Sequence, residues 1–334
     1  MNRQKLVTDK SVSISCIVPV YNEQVNLAHF IQDLSHYLVM LTQNFEIIIV
    51  NDGSTDASFD VAQRFLANPQ IKLINFSRNF GKEIAITAGL EHASMQTTVI
   101  IDADFQHPFA VIGQFLQEWA NGYDMVYGVR ADRVNETLFK KYFAKIFYQL
   151  MRKIAHIDIP ANAGDFRLMD RKVVNALVNT QERARFMKGL YAWVGFSSKA
   201  VVFEVADRQA GKSQWHFRKL FDLAILGLVS FSDIPLRVWS FIGVIISMFS
   251  FLSIGYIFLD TLIFGAEVPG YATLLTIITF FGGIQLLSIG ILGEYIAKIF
   301  NEVKQRPKYI VESKYNFTDT SKYVMPEKVR IQEH

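Results

Sequence analysis

The sequence predicts an α/β domain with a mostly parallel, Rossmann-like sheet, followed by an amphipathic helix and a two-helix membrane hairpin. Two patterns carry this prediction. In about the first 130 residues, short β-branched runs alternate with stretches of helical periodicity, which is typical of a parallel sheet covered on both faces. Beyond residue 237, two long apolar segments contain no charged side chain.

The α/β part is predicted to contain five strands with a helix between each pair. The strands are expected at residues 14–20, 45–50, 71–76, 97–102 and 123–128. The helices are expected at residues 23–42, 56–67, 82–95 and 109–120. Ligands bind beyond the carboxyl ends of the strands in such sheets, and the polar motifs "PVYNE", "NDGSTD", "SRNFGK" and "DADFQHP" follow the first four strands. No Gly-x-Gly-x-x-Gly follows the first strand and no Walker loop occurs, which disfavours dinucleotide and P-loop chemistry.

Composition disfavours several classes of protein. The chain has 334 residues, of which 51% are hydrophobic, and its net charge of +3 gives no basic field that would attract nucleic acid. The single cysteine, Cys16, excludes an intrachain disulfide, so nothing indicates an oxidising compartment. The polar N-terminus lacks the apolar core of a signal peptide. We therefore expect the α/β domain to lie in the cytoplasm.

The two uncharged segments, residues 238–259 and 271–293, are each long enough to cross a hydrocarbon core of about 30 Å as a helix. The loop between them contains no Lys or Arg, whereas the outer flanks carry Arg237, Lys298, Lys304, Arg306 and Lys308. By the positive-inside rule both flanks are cytoplasmic. This predicts a multi-pass membrane protein with both termini in the cytoplasm. The alternative is a pair of buried helices in a soluble protein.

An amphipathic helix is predicted just before the hairpin, at residues 216–233. Its apolar positions recur at helical spacing and its basic residues fall mainly on the other side, as in helices that lie in a membrane interface. Packing against the α/β domain is the alternative. The predicted organisation is a cytoplasmic α/β domain at 1–215, an interfacial helix at 216–235, the hairpin at 236–296 and a cytoplasmic tail at 297–334.

Two carboxylates, Asp102 and Asp104, stand at the mouth of the fourth predicted strand. They repel each other unless a positive group lies between them. Mg²⁺ typically takes one or two carboxylates plus substrate phosphate oxygens, and Gln106 offers a further oxygen. The pattern therefore predicts a metal site at Asp102, Asp104 and Gln106. In the alternative, Asp102 caps a loop and Asp104 starts the next helix beside Pro108.

Seven motifs in chain order closely resemble family 2 glycosyltransferases of GT-A fold. They are "PVYNE", "VNDGSTD", "SRNFGKEIA", "DADFQHP", "GVRADR", "GDFRLMDR" and "RQAGKSQW". More narrowly, about residues 12–310 resemble the polyprenyl-phosphate glycosyltransferases, which include dolichol-phosphate mannose synthase and the bacterial bactoprenol glucosyltransferases. The resemblance implies inverting transfer of one sugar from a nucleotide donor to a lipid phosphate, with Mg²⁺ or Mn²⁺. Phe105 departs from the family's usual Leu and leaves the carboxylate pair intact.

By resemblance, residues of the first four motifs bind the nucleotide sugar. They are Pro19, Tyr21, Glu23, Asp52, Lys82, Asp102, Ala103 and Asp104. Tyr21 offers a stacking face, and Asp52 or Glu23 can accept hydrogen bonds from ribose hydroxyls or a base N–H. Lys82 has an alternative interpretation as a solvated lysine at a helix N-terminus.

Cationic residues further along the chain are predicted to bind the diphosphate or the lipid phosphate. Arg130 and Arg133 in "GVRADR" can form a fork for phosphate, which arginine binds better than lysine. Arg208, Lys212 and Ser213 lie close in sequence to the predicted interfacial helix, and a solvated basic turn is their alternative.

Asp104, Asp165 and Arg130 are the candidate catalytic residues. Asp165 resembles the residue often assigned as the base in this family, and it can instead orient the metal or pair with Arg167. A phosphate monoester has its second pKa near ~6, so the nucleophile is already largely ionised at neutral pH. A strong general base is therefore not obligatory.

The expected donor is UDP-glucose, because the two-span architecture looks most like the bactoprenol glucosyltransferases of cell-envelope and lipopolysaccharide modification. Transfer of 4-formamido-arabinose, GlcNAc, galactose or mannose is the alternative. The sequence also leaves open whether the protein forms a homo-oligomer. A membrane scaffold without turnover conflicts with the intact carboxylates and arginines. A processive polysaccharide synthase conflicts with the absence of a Gln-x-x-Arg-Trp motif.

The charge asymmetry predicts a topology that reporter fusions can test. A reporter fused near Gly265 should be periplasmic and one at the C-terminus should be cytoplasmic, because the basic flanks stay on the cytoplasmic side. Alkaline phosphatase and green fluorescent protein fusions provide the measurement. Labelling of the N- and C-termini on opposite sides of the membrane would rule out a hairpin.

Overall fold

The computed structural model describes residues 3–131, 160, 163–180, 182–183, 185–204, 234–264 and 270–317. The predicted amphipathic helix at 216–233 lies outside these ranges. So do four of the predicted phosphate-binding residues, Arg133, Arg208, Lys212 and Ser213. Their roles stay predictions.

An eight-stranded mixed sheet, in the order β7-β5-β6-β4-β1-β2-β3-β8, is the centre of the described α/β part. The strands are β1 (Ile14–Val20), β2 (Phe45–Asn51), β3 (Ile71–Phe76), β4 (Thr97–Ile100), β5 (Met125–Arg130), β6 (Ala163–Asp170), β7 (Ser198–Phe203) and β8 (Val311–Tyr315). The described helices are α1 (Arg3–Thr8), α2 (Leu27–Leu41), α3 (Ser58–Gln63), α4 (Lys82–His92), α5 (Ala110–Ala120), α6 (Arg171–Asn179), α7 (Met187–Trp193), α8 (Ile234–Phe264) and α9 (Tyr271–Val303).

The directions of the strands confirm the predicted α/β class. The pairs β1–β2, β1–β4, β2–β3 and β5–β7 are parallel. The pairs β3–β8, β4–β6 and β5–β6 are antiparallel. The centre of the sheet is therefore parallel as predicted, and the antiparallel pairs all involve β6 or β8, which the sequence did not reveal.

The central strands are apolar along their length because helices cover both faces of the sheet. Alternate residues of β1 point to opposite faces. Cys16 and Val18 pack in a cluster with α2 and α5, while Ile17 packs in a second cluster with α4, α6 and α7. All three side chains are fully buried. Burial on both faces explains the near-continuous apolar runs in the sequence.

All five predicted strands are present, with shifted ends for three of them. β2 extends to Asn51, β4 ends at Ile100, and β5 runs from Met125 to Arg130. β6 was not predicted because Asp165 and Arg167 interrupt any apolar run in its sequence. β7 was not predicted because most of its residues are exposed, so its pattern resembles that of a loop.

The segment that follows α9 returns to the sheet as β8, where the sequence predicted a tail. β8 pairs antiparallel with β3. Just before it, Tyr309 is 3% exposed, stacks on Phe76 with ring centroids 4.9 Å apart and donates a hydrogen bond to Glu91. Just after it, Asn316 donates to three backbone carbonyls of residues 66–71. Because an edge strand faces solvent along one side, its polar sequence concealed it.

Two long helices, α8 and α9, occupy the region of the predicted hairpin. Among the described residues one helical stretch, Phe280–Val303, is long and apolar enough to cross a membrane, with a mean hydropathy of 1.4 and no buried part. In the first predicted span, the apolar stretch Val238–Ser250 is shorter. Large apolar side chains such as Phe249 and Leu286 are exposed on both helices. The two-span hairpin stays a prediction.

Phe166 on β6 provides a test of the packing beneath the site. Its side chain is 1% exposed, and its ring centroid lies 4.8 Å from those of Phe115 and His107. Phe166→Ala should lower the free energy of unfolding by about 3–5 kcal/mol, because it leaves a cavity between the sheet and α5.

The matched control is Met40→Ala, an α2 side chain that is 49% exposed. This change should stay within about 0.5 kcal/mol of the wild type. Denaturant unfolding of the purified full-length protein in detergent measures both variants. Equal losses of unfolding free energy in the two variants would contradict the packing described for Phe166.

Candidate active site

The polar motifs converge on one edge of the sheet, which we call the motif edge. β4, β1, β2 and β3 are parallel, so their carboxyl ends share this edge. β6 is antiparallel to both β4 and β5, which places the start of β6 and the end of β5 there as well. The predicted site residues at or beside the motif edge are Pro19, Tyr21, Glu23, Asp52, Lys82, Asp102, Ala103, Asp104, Gln106, Arg130 and Asp165.

Lys82, the first residue of α4, lies between two carboxylates. Its Nζ is 2.8 Å from Asp102 Oδ2 and 2.9 Å from Asp165 Oδ2. The Lys82 side chain is 44% exposed, and the two carboxylate side chains are 25% and 17% exposed. Lys82 is therefore not a lysine surrounded only by solvent. Asp165 forms its ion pair with Lys82 and not with Arg167.

This ion pair decides the protonation state of Asp165. Burial alone would raise the pKa of this carboxyl, but the Lys82 ammonium outweighs burial and lowers the pKa from 3.8 to about 2. Burial alone would lower the pKa of Lys82, but the charges of Asp102 and Asp165 outweigh burial and raise it. Both partners are therefore charged at neutral pH. A carboxylate with so low a pKa is a weak proton acceptor.

Asp104 lies in a tight loop that an aromatic side chain supports. Its Oδ1 accepts a hydrogen bond from the backbone N–H of Gln106 at 3.1 Å. Phe105 has φ +57, a left-handed conformation that bulky residues seldom adopt. Its ring packs edge-on against Phe30, with centroids 5.3 Å apart. The aromatic packing stabilises this strained turn and so holds Asp104 in place.

Arg130, the last residue of β5, contacts the same loop. Its Nη2 donates a hydrogen bond to Gln106 Oε1 at 2.9 Å. The oxygen that was predicted as a metal ligand is thus directed at a guanidinium, and the metal role of Gln106 stays a prediction. The contact places a cation beside the Asp104 loop.

The donor atoms around Asp104 are compatible with a divalent metal. Across the described ranges no three His, Cys, Asp or Glu side chains are grouped to hold one. Mg²⁺ needs only one or two carboxylates when substrate phosphates complete its shell, and Asp102 and Asp104 can supply them. His107 Nδ1 is buried without a hydrogen-bond partner, 3.9 Å from Asp104 Oδ1. Burial lowers the pKa of His107 although Asp102 and Asp104 oppose this, so its imidazole is neutral.

Asp52 organises the loop that follows β3. It is 2% exposed, and its two carboxylate oxygens accept hydrogen bonds from the N–H groups of Phe80 at 2.7 Å and Gly81 at 2.9 Å. Burial raises the pKa of Asp52 although these bonds oppose it. Gly53 lets the two loops meet, because its φ is +60 and a Cβ would lie 2.2 Å from the carbonyl carbon of Arg78. The predicted contact of Asp52 with ribose or base stays a prediction.

The loop after β1 carries the other predicted nucleotide-binding residues. The Tyr21 side chain is 46% exposed, so its ring face is accessible for stacking. The backbone N–H of Glu23 donates to Ser58 Oγ at 2.8 Å, which ties this loop to the start of α3. Pro19 pairs with Val50 in the sheet register. Ala103 is 3% exposed between the two aspartates.

A buried arginine beneath Asp165 is a feature that the sequence pattern did not predict. Arg167 is 3% exposed and lies 3.4 Å from the centroid of the Tyr191 ring. Its Nη2 donates to the Gly164 carbonyl at 2.6 Å. Arg167, Tyr191 and Lys188 line a cavity of about 90 Å³. The motif "GDFRLMDR" contains Arg167, which shares a face of β6 with Asp165 because the two are two residues apart on a strand, but the sequence did not show that Arg167 is buried.

The ion pair of Lys82 and Asp165 predicts a pH-dependent difference in stability. Lys82→Met should lower the free energy of unfolding at neutral pH, because two carboxylates lose their cation. The pKa of Asp165 lies below its ordinary value, so its stabilising contribution is present above about pH 3.8 and disappears as the pH falls toward about 2. The difference in the free energy of unfolding between wild type and variant should therefore disappear as the pH falls through this range.

Thermal unfolding measured across this pH range provides the readout. In an Asp165→Asn background the same Lys82→Met change should give a gap that depends less on pH. A gap of constant size down to the lowest pH would contradict the ion pair.

Comparisons with known proteins agree with the predicted family. Residues 15–178 match the family model of glycosyl transferase family 2, and residues 234–299 match that of the GtrB C-terminal hairpin. An uncharacterized glycosyltransferase of Synechocystis sp. is 45% identical over 302 residues, covering 90% of this chain and 95% of that protein. The bactoprenol glucosyl transferase of Shigella phage SfII is 42% identical over 305 residues, covering 91% of this chain and 99% of that protein.

A comparison with solved structures finds mannosyl-3-phosphoglycerate synthase from Rubrobacter xylanophilus at a TM-score of 0.45 and 16% identity, covering 67% of this chain and 74% of that one. The sequence relatives match nearly the whole chain, at identities that leave no doubt about common descent. This chain therefore belongs to the family 2 glycosyltransferases and is itself a glycosyltransferase.

Proposed function

We propose that this enzyme transfers glucose from UDP-glucose to undecaprenyl phosphate, or another polyprenyl phosphate, at the cytoplasmic face of the bacterial inner membrane. The observation that carries the proposal is that carboxylates and cationic side chains lie together at the motif edge. Asp102 and Asp104 suit a divalent metal that faces a diphosphate. Lys82 and Arg130 suit the phosphate groups themselves.

Two observations support a lipid acceptor. The name of the phage relative describes transfer of glucose to bactoprenol, and that relative matches this chain over most of its length. The apolar helical stretch Phe280–Val303 would hold the site next to a bilayer, where the phosphate of a membrane lipid is within reach. The predicted boundaries of the catalytic domain, the interfacial helix, the hairpin and the tail are part of this proposal.

In the proposed complex the nucleotide lies across the ends of β1 and β2. Tyr21 stacks on the base, and Glu23 and Asp52 accept hydrogen bonds from the base or ribose. The diphosphate then reaches Asp102 and Asp104, which would hold Mg²⁺ or Mn²⁺. The metal would supply Lewis-acid neutralisation of the charge on the leaving diphosphate.

The proposed chemistry is a single displacement. An oxygen of the lipid phosphate attacks the anomeric carbon, a new C–O bond forms, and the bond to the nucleoside diphosphate breaks with inversion. Arg130 binds the incoming phosphate, and Arg133, Arg208, Lys212 and Ser213 complete its binding in the proposed site. A charge-assisted contact of this kind is worth about 1.5–3 kcal/mol.

Asp165 has a positioning role in this scheme. Its pKa of about 2 makes it a poor general base, and its ion pair with Lys82 keeps it oriented. The phosphate nucleophile is largely ionised at neutral pH, since its second pKa is near ~6. The reaction therefore needs orientation and charge neutralisation more than proton transfer.

Transfer assays on purified enzyme test the proposal. With UDP-glucose and undecaprenyl phosphate, the wild type should form the lipid-linked sugar only when Mg²⁺ or Mn²⁺ is present. Asp104→Asn should lower this rate by about two or more orders of magnitude, because half of the carboxylate pair loses its charge. The matched control is Asp33→Asn, an exposed α2 residue, which should keep the wild-type rate.

A panel of nucleotide sugars in the same assay separates the parts of the proposal. Transfer exclusively from a GDP-sugar would contradict the choice of donor. Near-normal turnover of Asp104→Asn with Mg²⁺ would contradict the metal site. Hydrolysis of the donor without any lipid product would contradict the acceptor.

A further inference from the structure

A hydrogen-bonded chain of side chains runs from the C-terminal strand to the loop after β1. Glu312 of β8 accepts a hydrogen bond from Asn75 Nδ2 at 2.9 Å. Asn75 Oδ1 accepts from Asn51 Nδ2 at 2.6 Å, and Asn51 Oδ1 accepts from Ser54 Oγ at 2.5 Å. Ser54 Oγ in turn accepts from the backbone N–H of Asn22 at 3.0 Å. We call this series the asparagine relay.

All donors of the asparagine relay point toward Glu312. An ionised carboxylate only accepts hydrogen bonds, so Asn75 must present its NH₂ group to it. Its carbonyl oxygen then faces Asn51, whose own carbonyl faces the hydroxyl of Ser54. The serine oxygen is left to accept from Asn22. The carboxylate thus sets the orientation of every amide in the relay, and aligned hydrogen bonds polarise one another.

The middle of the asparagine relay is shielded from water. Asn51 is 2% exposed and Asn75 is 7% exposed. Buried amides tolerate few alternative partners, because an unsatisfied donor or acceptor is costly there. Glu312 itself is exposed, and the buried amides behind it would carry a change there toward Ser54.

At its far end, the relay supports a loop with unusual backbone geometry. Asn22 has φ +56, in the left-handed region. Its side-chain Oδ1 accepts from the backbone N–H of Thr55 at 2.8 Å, while its own N–H donates to Ser54. Asn22 lies between Tyr21 and Glu23, so these contacts fix where those two side chains are presented.

We infer that Glu312 is a positioning residue for the nucleotide-binding loop at Tyr21 and Glu23. The C-terminal strand, which follows the apolar helix α9, would then tune donor affinity from a distance. This inference rests on the proposed function only for the identity of the ligand. The geometry of the relay does not depend on which sugar is transferred.

Hydrogen–deuterium exchange on the full-length protein in detergent, without nucleotide, tests the relay directly. In Glu312→Ala the peptide covering residues 20–26 should exchange about three- to tenfold faster, as expected for the loss of one hydrogen bond. The peptide covering 311–315 should keep its protection, because Tyr309 and Asn316 still anchor β8. Glu312→Gln should restore slow exchange, since its Oε1 can accept from Asn75.

Binding and kinetics give the functional readout. With UDP and Mn²⁺ as the probe in calorimetry, Glu312→Ala should weaken binding by about three- to tenfold. The KM for UDP-glucose should rise by a similar factor while kcat changes by less than about twofold. The matched control is Tyr315→Phe, which removes a hydrogen bond to Gln63 from the same strand and should leave residues 20–26 unaffected.

Ser54→Ala cuts the asparagine relay from the other end. It should accelerate exchange at residues 20–26 without any change at 311–315, and adding Glu312→Ala should produce little further increase. If Glu312→Ala loosens β8 itself, Ser54→Ala still tests the relay, because it does not alter β8. The inference would be overturned if the two substitutions had fully additive effects on exchange at residues 20–26, or if Glu312→Ala left that exchange unchanged. Faster exchange in a protein whose wild type binds no UDP would contradict the proposed function and leave the relay standing.

Discussion

Lys82 lies between Asp102 and Asp165, and this contact joins the start of α4, the end of β4 and the start of β6. These three segments meet because β4 is parallel to β1 and antiparallel to β6, so the relevant ends share one edge of the sheet. Two partly buried carboxylates would repel each other without the ammonium between them. The charge balance of the site therefore depends on one lysine at a helix N-terminus.

The same contact constrains the chemistry. Asp165 stays ionised and paired, so it serves orientation better than proton transfer. Asp104 is held by a strained turn at Phe105, and Arg130 is held by Gln106. A site built this way recognises charge at fixed positions. That property suits the transfer of a sugar between two phosphate groups, in which the nucleophile and the leaving group are both anionic.

The C-terminal strand adds a second constraint. β8 begins at Val311, shortly after α9 ends at Val303, and pairs with β3, so the chain that follows the apolar helix is tied to the sheet whose loops carry Tyr21 and Asp52. Tyr309 and Asn316 fasten the strand on either side. The short connection from α9 to β8 limits how far the sheet can move from the end of that helix.

The sequence by itself determined the α/β class, the five buried strands and the motifs at their ends, because burial on both faces leaves continuous apolar runs and ligand sites leave polar clusters between them. It also predicted Asp102, Asp104 and Arg130 as site residues; the structure places them at the motif edge, and their roles stay predictions. Only the tertiary structure decided that Asp165 pairs with Lys82, that Arg167 packs on Tyr191 and that hydrogen bonds link Glu312 to the loop after β1. These contacts join residues that are distant in the chain, on strands whose exposed or charged sequences carry no periodic signal, and only the register of β6 and β8 brings them together.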